Sequence, residues 1–166
     1  LMLTRIENNR IRVNSENLVL DEFIQKNLSE CQMLYPTHVF TVQARYQGTL
    51  HFDPELMTQM FRALVENAVK YSEPGSEIVF GSQLRNQFIE ISITDQGRGI
   101  PKESLGYLVH RFYRISEDRN RRTGGSGLGL SIVEALVKAM GGYLRIESEL
   151  DKGTKVILLM PRKTPE

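Results

Sequence analysis

The chain has 166 residues, a formal net charge of +1, 40% hydrophobic and 25% charged residues, which is ordinary globular composition. The near-balanced charge argues against a general nucleic-acid binder. The single Cys31 excludes an intrachain disulfide framework and a cysteine-based zinc cluster, and no apolar run approaches the roughly 20 residues that span a bilayer. With no signal-peptide pattern at its start, the chain reads as one domain of an aqueous, reducing, cytoplasmic setting, cut from a longer parent that could itself be membrane-anchored.

In chain order, Leu1, Leu3 and Ile6 read as the last turns of a helix whose body lies upstream, and Asn8 to Glu16 as a polar connector. Leu18-Val19-Leu20 predicts a short strand. Asp21 is expected to cap a helix with apolar positions Phe23, Ile24, Leu28 and Cys31 or Met33, stopped at Tyr35-Pro36. Alternation over Val39 to Arg45 predicts a strand, with a turn at Gln47-Gly48 and a return strand from Thr49 to Phe52. Asp53-Pro54-Glu55 is a strong helix start, with an N-cap acid and proline at the first helical position. That helix should run to about Tyr71 on a seam of Leu56, Met60, Leu64 and Ala68.

After a Pro74-Gly75 turn, Ile78 to Leu84 and Phe88 to Thr94 read as paired strands, the second burying Ile89, Ile91 and Ile93. The glycine loop Asp95 to Pro101 should precede a short helix. A polar stretch from Arg111 to Gly125 follows, and a helix from Gly127 to about Met140, ended by Gly141-Gly142. Tyr143 to Leu150 and Thr154 to Met160 form a last hairpin, and residues 162 to 166 a frayed tail. Antiparallel strand pairs with helices between them predict a two-layer α/β sandwich: a mixed, mostly antiparallel sheet with helices packed on one face.

Four segments look unlike scaffolding. Asn67, Lys70 and Tyr71 share a helix face by their spacing, and could present a carboxamide, an ammonium and an aromatic ring to a metal–phosphate and a base. Taken alone, a solvated polar face near a helix end is the simpler reading of them. Asp95, Gly97 and Gly99 stand at a strand end, where Asp95 could read an exocyclic amine; a turn-forming Asp in a plain loop is the alternative. Arg111, Arg114, Arg119, Arg121 and Arg122 lead into Gly124-Gly125-Ser126-Gly127-Leu128-Gly129, whose glycines precede a helix. Helix N-termini attract phosphate, so a flexible lid over phosphates reads better than a plain linker. No Lys follows these glycines, and their spacing is GxGxG after a basic loop, so they form neither a P-loop nor a dinucleotide fingerprint. Gly153-Thr154 alone signifies a turn.

Taken in order, these segments resemble the catalytic ATP-binding domain of bacterial two-component sensor histidine kinases, with its Bergerat-type fold. Asn67-Ala68-Val69-Lys70-Tyr71-Ser72 matches the asparagine box, Asp95 to Pro101 the first glycine box, Arg111-Phe112-Tyr113-Arg114 the phenylalanine box, and Gly125 to Val133 the second glycine box. The resemblance covers roughly residues 18 to 161. It implies that Asn67 binds Mg²⁺, that Lys70 contacts phosphate and that Tyr71 lies against adenine. It implies that Asp95 accepts from the adenine amine with Thr154 in support, and that Gly97 and Gly99 let base and ribose approach. Ser126, Gly127, Leu128 and Gly129 would offer amides to phosphate, and Arg114 would reach the γ-phosphate, with Arg111 as runner-up. Gyrase-like relatives carry a general-base Glu four residues before the box asparagine; here that position is Ala63, a departure also from the Asn of many kinases.

None of His38, His51 and His110 lies in the family's acceptor motif, so all three read as structural or surface residues. The resemblance therefore implies an ATP- and Mg²⁺-binding kinase domain, residues 17 to 161, behind the end of a dimerisation helix and connector in residues 1 to 16. Its partners would be the histidine-bearing dimerisation domain of the same parent and, downstream, a response regulator. The fragment alone should be monomeric and unable to phosphorylate itself. A nucleotide-dependent interaction module without transfer and an anti-sigma serine kinase-like domain are the competing readings. The stretch from Ile115 to Gly125 is expected to order only with nucleotide.

Overall fold

The computed structural model describes residues 11–99 and 129–162. Its elements are β1 (Glu16–Val19), α1 (Leu20–Leu34), β2 (Val39–Val42), β3 (Thr49–Phe52), α2 (Pro54–Lys70), β4 (Glu77–Arg85), β5 (Phe88–Asp95), α3 (Gly129–Ala139), β6 (Tyr143–Glu149) and β7 (Gly153–Pro161). Five strands form a mixed sheet in the order β2-β4-β5-β7-β6, and β1 pairs with β3 in a separate two-stranded sheet. Among the described residues only β2 and β4 run parallel within the large sheet. Helices pack on this sheet, as the strand and helix pattern predicts.

Periodicity explains the core. On α2, Leu56, Met57, Met60, Phe61, Leu64, Val65 and Ala68 are buried, a stripe at helical spacing wider than the expected seam. Ile89, Ile91 and Ile93 on β5 face it, each at most 3% exposed. Phe61 stands edge-on to Phe80 of β4, ring centroids 5.6 Å apart. The α2 start also matches expectation: Asp53 Oδ1 accepts from the Glu55 and Leu56 amides, which no intrahelical carbonyl can reach. Its Oδ2 accepts from the Asn14 amide, tying the preceding connector to the helix.

Two local expectations are corrected, and the choice between Cys31 and Met33 is decided. Asp21 does not cap α1. The helix begins at Leu20 behind Val19, with no side-chain cap, and Asp21 sits in the first turn. Its carboxylate instead takes a two-pronged bond from Arg45, at 2.9 and 2.6 Å, a stronger partner than a lone amide. Met33 is 83% exposed, and the buried α1 positions are Leu20, Asp21, Ile24, Asn27 and Cys31. Finally, the Val39 and Thr49 strands do not form a hairpin. β2 lies beside β4 and β3 beside β1. The chain leaves the large sheet at Ala44 (φ 34°), held there by Ser82 N–H to Ala44 O and Tyr46 N–H to Ser82 Oγ.

Turns account for the rest. Asn86 (φ 55°) and Asp151 (φ 65°) close the β4–β5 and β6–β7 hairpins. The helical turns expected in residues 1 to 7, the short helix after Pro101, the 111 to 125 stretch and the end of the tail lie outside the described residues. No described helix is long and apolar enough to cross a membrane.

Candidate nucleotide site

The end of β5, the end of α2 and the β6–β7 hairpin meet at Asp95. Asp95 Oδ1 accepts from the Gly97 amide at 2.8 Å, which folds the loop back over the strand end. Burial holds the Asp95 carboxyl above the usual carboxylate range, and the Gly97 and Thr154 amides bonded to it pull the other way. Such a group is a prepared acceptor: partly desolvated and fixed in direction by the amides bonded to it.

Backbone contacts hold it in place. A Cβ on Gly97 would run into the Tyr71 carbonyl, so only glycine lets this loop lie against the cap of α2. Gly153 (φ +108°) does the same from the hairpin, where a Cβ would strike the Asp95 carbonyl. Gly99 rests on the Glu149 backbone. Gly97 and Gly99, expected to let base and ribose approach, also lie against other protein segments. Thr154 pairs with Asp95 across β5 and β7, and its Oγ1 lies 2.9 Å from Ser148 Oγ, which donates to Gly153 O or to Thr154. A depression of about 330 Å³ opens beside this end of the sheet, lined in part by Asp95, Ser148, Gly153, Thr154 and Lys155.

Asn67, Lys70 and Tyr71 do emerge together from the last turn of α2, which the Tyr71 amide closes onto Asn67 O at 3.1 Å. They do not line that depression. The Asn67 carboxamide stands against the start of α3, where a Cβ on Gly129 would lie 3.7 Å from Nδ2 and 3.9 Å from Oδ1. A single neutral carboxamide oxygen suits a hard cation that brings water and phosphate oxygens with it. Among the described residues no group of three His, Cys, Asp or Glu side chains could cage a metal by itself.

Two features escaped the sequence reading. Arg98 lies over the Tyr71 ring, Cζ 5.0 Å from its centroid, and Lys70 Nζ lies 5.7 Å from the same ring. Tyr71 therefore joins the two boxes through cation–π contacts. A basic residue inside the glycine loop was the only signal, and sequence spacing gives no hint that it meets Tyr71. Ser148 is the other, visible only once β6 and β7 are paired. Arg111, Arg114, Ser126, Gly127 and Leu128 lie outside the described residues.

The sequence profile of the family described as histidine kinase-, DNA gyrase B-, and HSP90-like ATPase matches residues 52–164, which contain this whole constellation. The chain belongs to that ATPase family. Relatives within it include the signal transduction histidine-protein kinase ArlS of Staphylococcus epidermidis (strain ATCC 12228 / FDA PCI 1200), 37% identical over 162 residues, covering 97% of this chain and 36% of that protein. ArlS of Staphylococcus haemolyticus (strain JCSC1435) is 36% identical, covering 93% of this chain and 34% of that protein. The chain thus spans about a third of these relatives. Among solved structures, the mycobacterial sensor histidine kinase MprB superposes with a TM-score of 0.78 at 27% identity, over 90% of this chain and 100% of that one. The catalytic domain of histidine kinase ThkA shares the fold, with a TM-score of 0.76 at 20% identity over 90% of this chain and 98% of that one. As a member of this ATPase family the chain is an ATP-binding domain, and the fold class read from the sequence holds.

Proposed function

We propose that this chain is the catalytic domain of a sensor histidine kinase, binding Mg·ATP and passing the γ-phosphate to a histidine on a separate dimerisation domain. The observation that carries the proposal is the seating of Asp95. A half-buried carboxylate with raised proton affinity, locked between the α2 cap and the β6–β7 hairpin, is built to recognise an amine. The adenine exocyclic amine is the ATP group that fits it, with Thr154 beside it. Family membership and the kinase relatives support the same reading.

In this reading Asn67 holds Mg²⁺ through its carboxamide oxygen, and Lys70 contacts phosphate. Bound Mg²⁺ neutralises phosphate charge. Tyr71, under Arg98, forms a wall toward adenine. Gly97 and Gly99 shape the loop beneath base and ribose. Ser126, Gly127, Leu128 and Gly129 offer amides to the phosphates, and Arg114 steadies charge on the transferring group. Transfer then rests on positioning and charge stabilisation: an imidazole nitrogen of the acceptor attacks the γ-phosphorus and ADP leaves. Ala63 supplies no base for water, which favours transfer over hydrolysis.

Residues 17 to 161 form the ATP-binding unit. The domain works in the cytoplasm, where ATP is supplied, as a monomer when isolated. A response regulator takes the phosphoryl group from the acceptor histidine. The test is single-turnover transfer from γ-labelled ATP to a supplied histidine-bearing dimerisation domain. Label on the acceptor, abolished by Asn67→Ala, supports the proposal. Saturable ATP binding without any transfer refutes it in favour of a nucleotide-dependent interaction module.

A further inference from the structure

His38 is a buried ring outside the site, 3% exposed, and nothing in the proposed reaction uses it. Its Nε2 lies 3.0 Å from Ser72 Oγ and its Nδ1 2.9 Å from Thr37 Oγ1. Ser72 is the residue after Tyr71, and its hydroxyl donates to Ala68 O, one residue past Asn67. A hydroxyl has one proton. Once that proton goes to Ala68, Ser72 Oγ can only accept from His38, so Nε2 carries a proton. In the neutral ring Nδ1 then accepts from Thr37.

The backbone that carries the ring is itself held from other elements. Gln32 of α1 donates from Nε2 to His38 O at 2.8 Å and accepts at Oε1 from the Phe40 amide at 3.0 Å. Thr37 O accepts from the Gly75 amide at 2.7 Å, and Ser76 O from the Val39 amide at 3.1 Å. Hydrogen bonds therefore tie the His38 backbone to α1, and its ring through Ser72 to the last turn of α2.

We infer that His38 is a positioning residue for the nucleotide site, using its Nε2–H to lock Ser72 and so the turn that presents Asn67, Lys70 and Tyr71. The inference rests on the nucleotide reading of that turn. Losing the lock lets the carboxamide of Asn67 drift from the cation position, so the effect falls on the Mg²⁺-dependent part of binding. A ring that merely filled space would change stability and leave that part intact.

The test compares wild type, His38→Asn, His38→Gln and Ser72→Ala by calorimetric ATP titration with and without Mg²⁺, each protein first shown folded by its thermal melt. A glutamine amide nitrogen reaches about as far as Nε2, and an asparagine amide does not. The expected result is roughly three- to tenfold weaker Mg·ATP binding in His38→Asn and Ser72→Ala, with reduced Mg²⁺ dependence and recovery in His38→Gln. Nitrogen-15 imidazole spectra of the wild type above neutral pH should show the proton on Nε2. Wild-type affinity and Mg²⁺ dependence in folded His38→Asn, no recovery in His38→Gln, or a proton on Nδ1 alone would each overturn the inference. If His38→Asn does not fold, Ser72→Ala, which leaves the ring in place, decides alone. A wild-type domain that binds no ATP overturns the nucleotide reading itself, a result distinct from equal binding by all four proteins.

Discussion

Replacing Asp95 by Asn separates recognition from folding. The carboxamide keeps an oxygen for the Gly97 amide, so the loop retains its 2.8 Å bond. What it loses is the second acceptor: an NH₂ group now faces the adenine amine, donor against donor. A hydrogen bond to a charged group contributes about 1.5–3 kcal/mol. At about 1.4 kcal/mol per decade, ATP affinity should fall about ten- to a hundredfold. Stability should move the other way or not at all. Burial outweighs the Gly97 and Thr154 bonds in setting the Asp95 proton affinity, so the ionised carboxylate sits in the fold at a net cost that a neutral isostere removes. Calorimetric ATP titration paired with a thermal melt reads both effects. Unchanged affinity in a folded Asp95→Asn protein would refute the adenine-acceptor role. A large loss of melting temperature would refute the claim that the charge is costly.

The same carboxylate sets a pH signature: ATP affinity of the wild type, relative to Asp95→Asn, should weaken as pH falls through the raised pKa of Asp95, above its ordinary 3.8. Because the folded domain holds this proton more tightly than the unfolded chain, the contribution of Asp95 to stability declines as pH rises from the unfolded value through the folded one. Denaturant midpoints of the two proteins across that window measure it. Gly97→Ala should cost about 1–3 kcal/mol and weaken ATP binding, since its Cβ has to displace the Tyr71 carbonyl; urea unfolding checks the first and titration the second. Burial pushes the Cys31 thiol up to about 11, so it should resist alkylation at pH 8 until the domain unfolds, which mass spectrometry of iodoacetamide-treated protein reports.

Much of the scaffold was legible before any coordinates. Asp53-Pro54-Glu55 announces α2 because an N-cap acid and an N1 proline act within one turn. The isoleucines of β5 announce a buried strand face because side chains alternate with a period of two. What failed were statements about partners. Asp21 carries the same capping chemistry as Asp53, yet a guanidinium from 24 residues away claims it. The strand at Val39 looked like half of a hairpin, and its true neighbour is the parallel β4.

The site divides along the same line. Local sequence determined the groups on offer: a carboxamide, ammonium and phenol on one helix turn, and a carboxylate before a glycine loop. Their order along the chain sufficed to suggest the ATP-binding family. Tertiary structure alone decided how those groups meet. It put the Gly97 backbone on Tyr71, Arg98 over the same ring, Gly153 on Asp95, and His38 behind Ser72. The physical reason is range. Caps, turns and alternation are set by neighbours a few residues apart, whereas the proton affinity of Asp95 and the hold of His38 on Ser72 depend on burial and a hydrogen bond that exist only after distant segments pack.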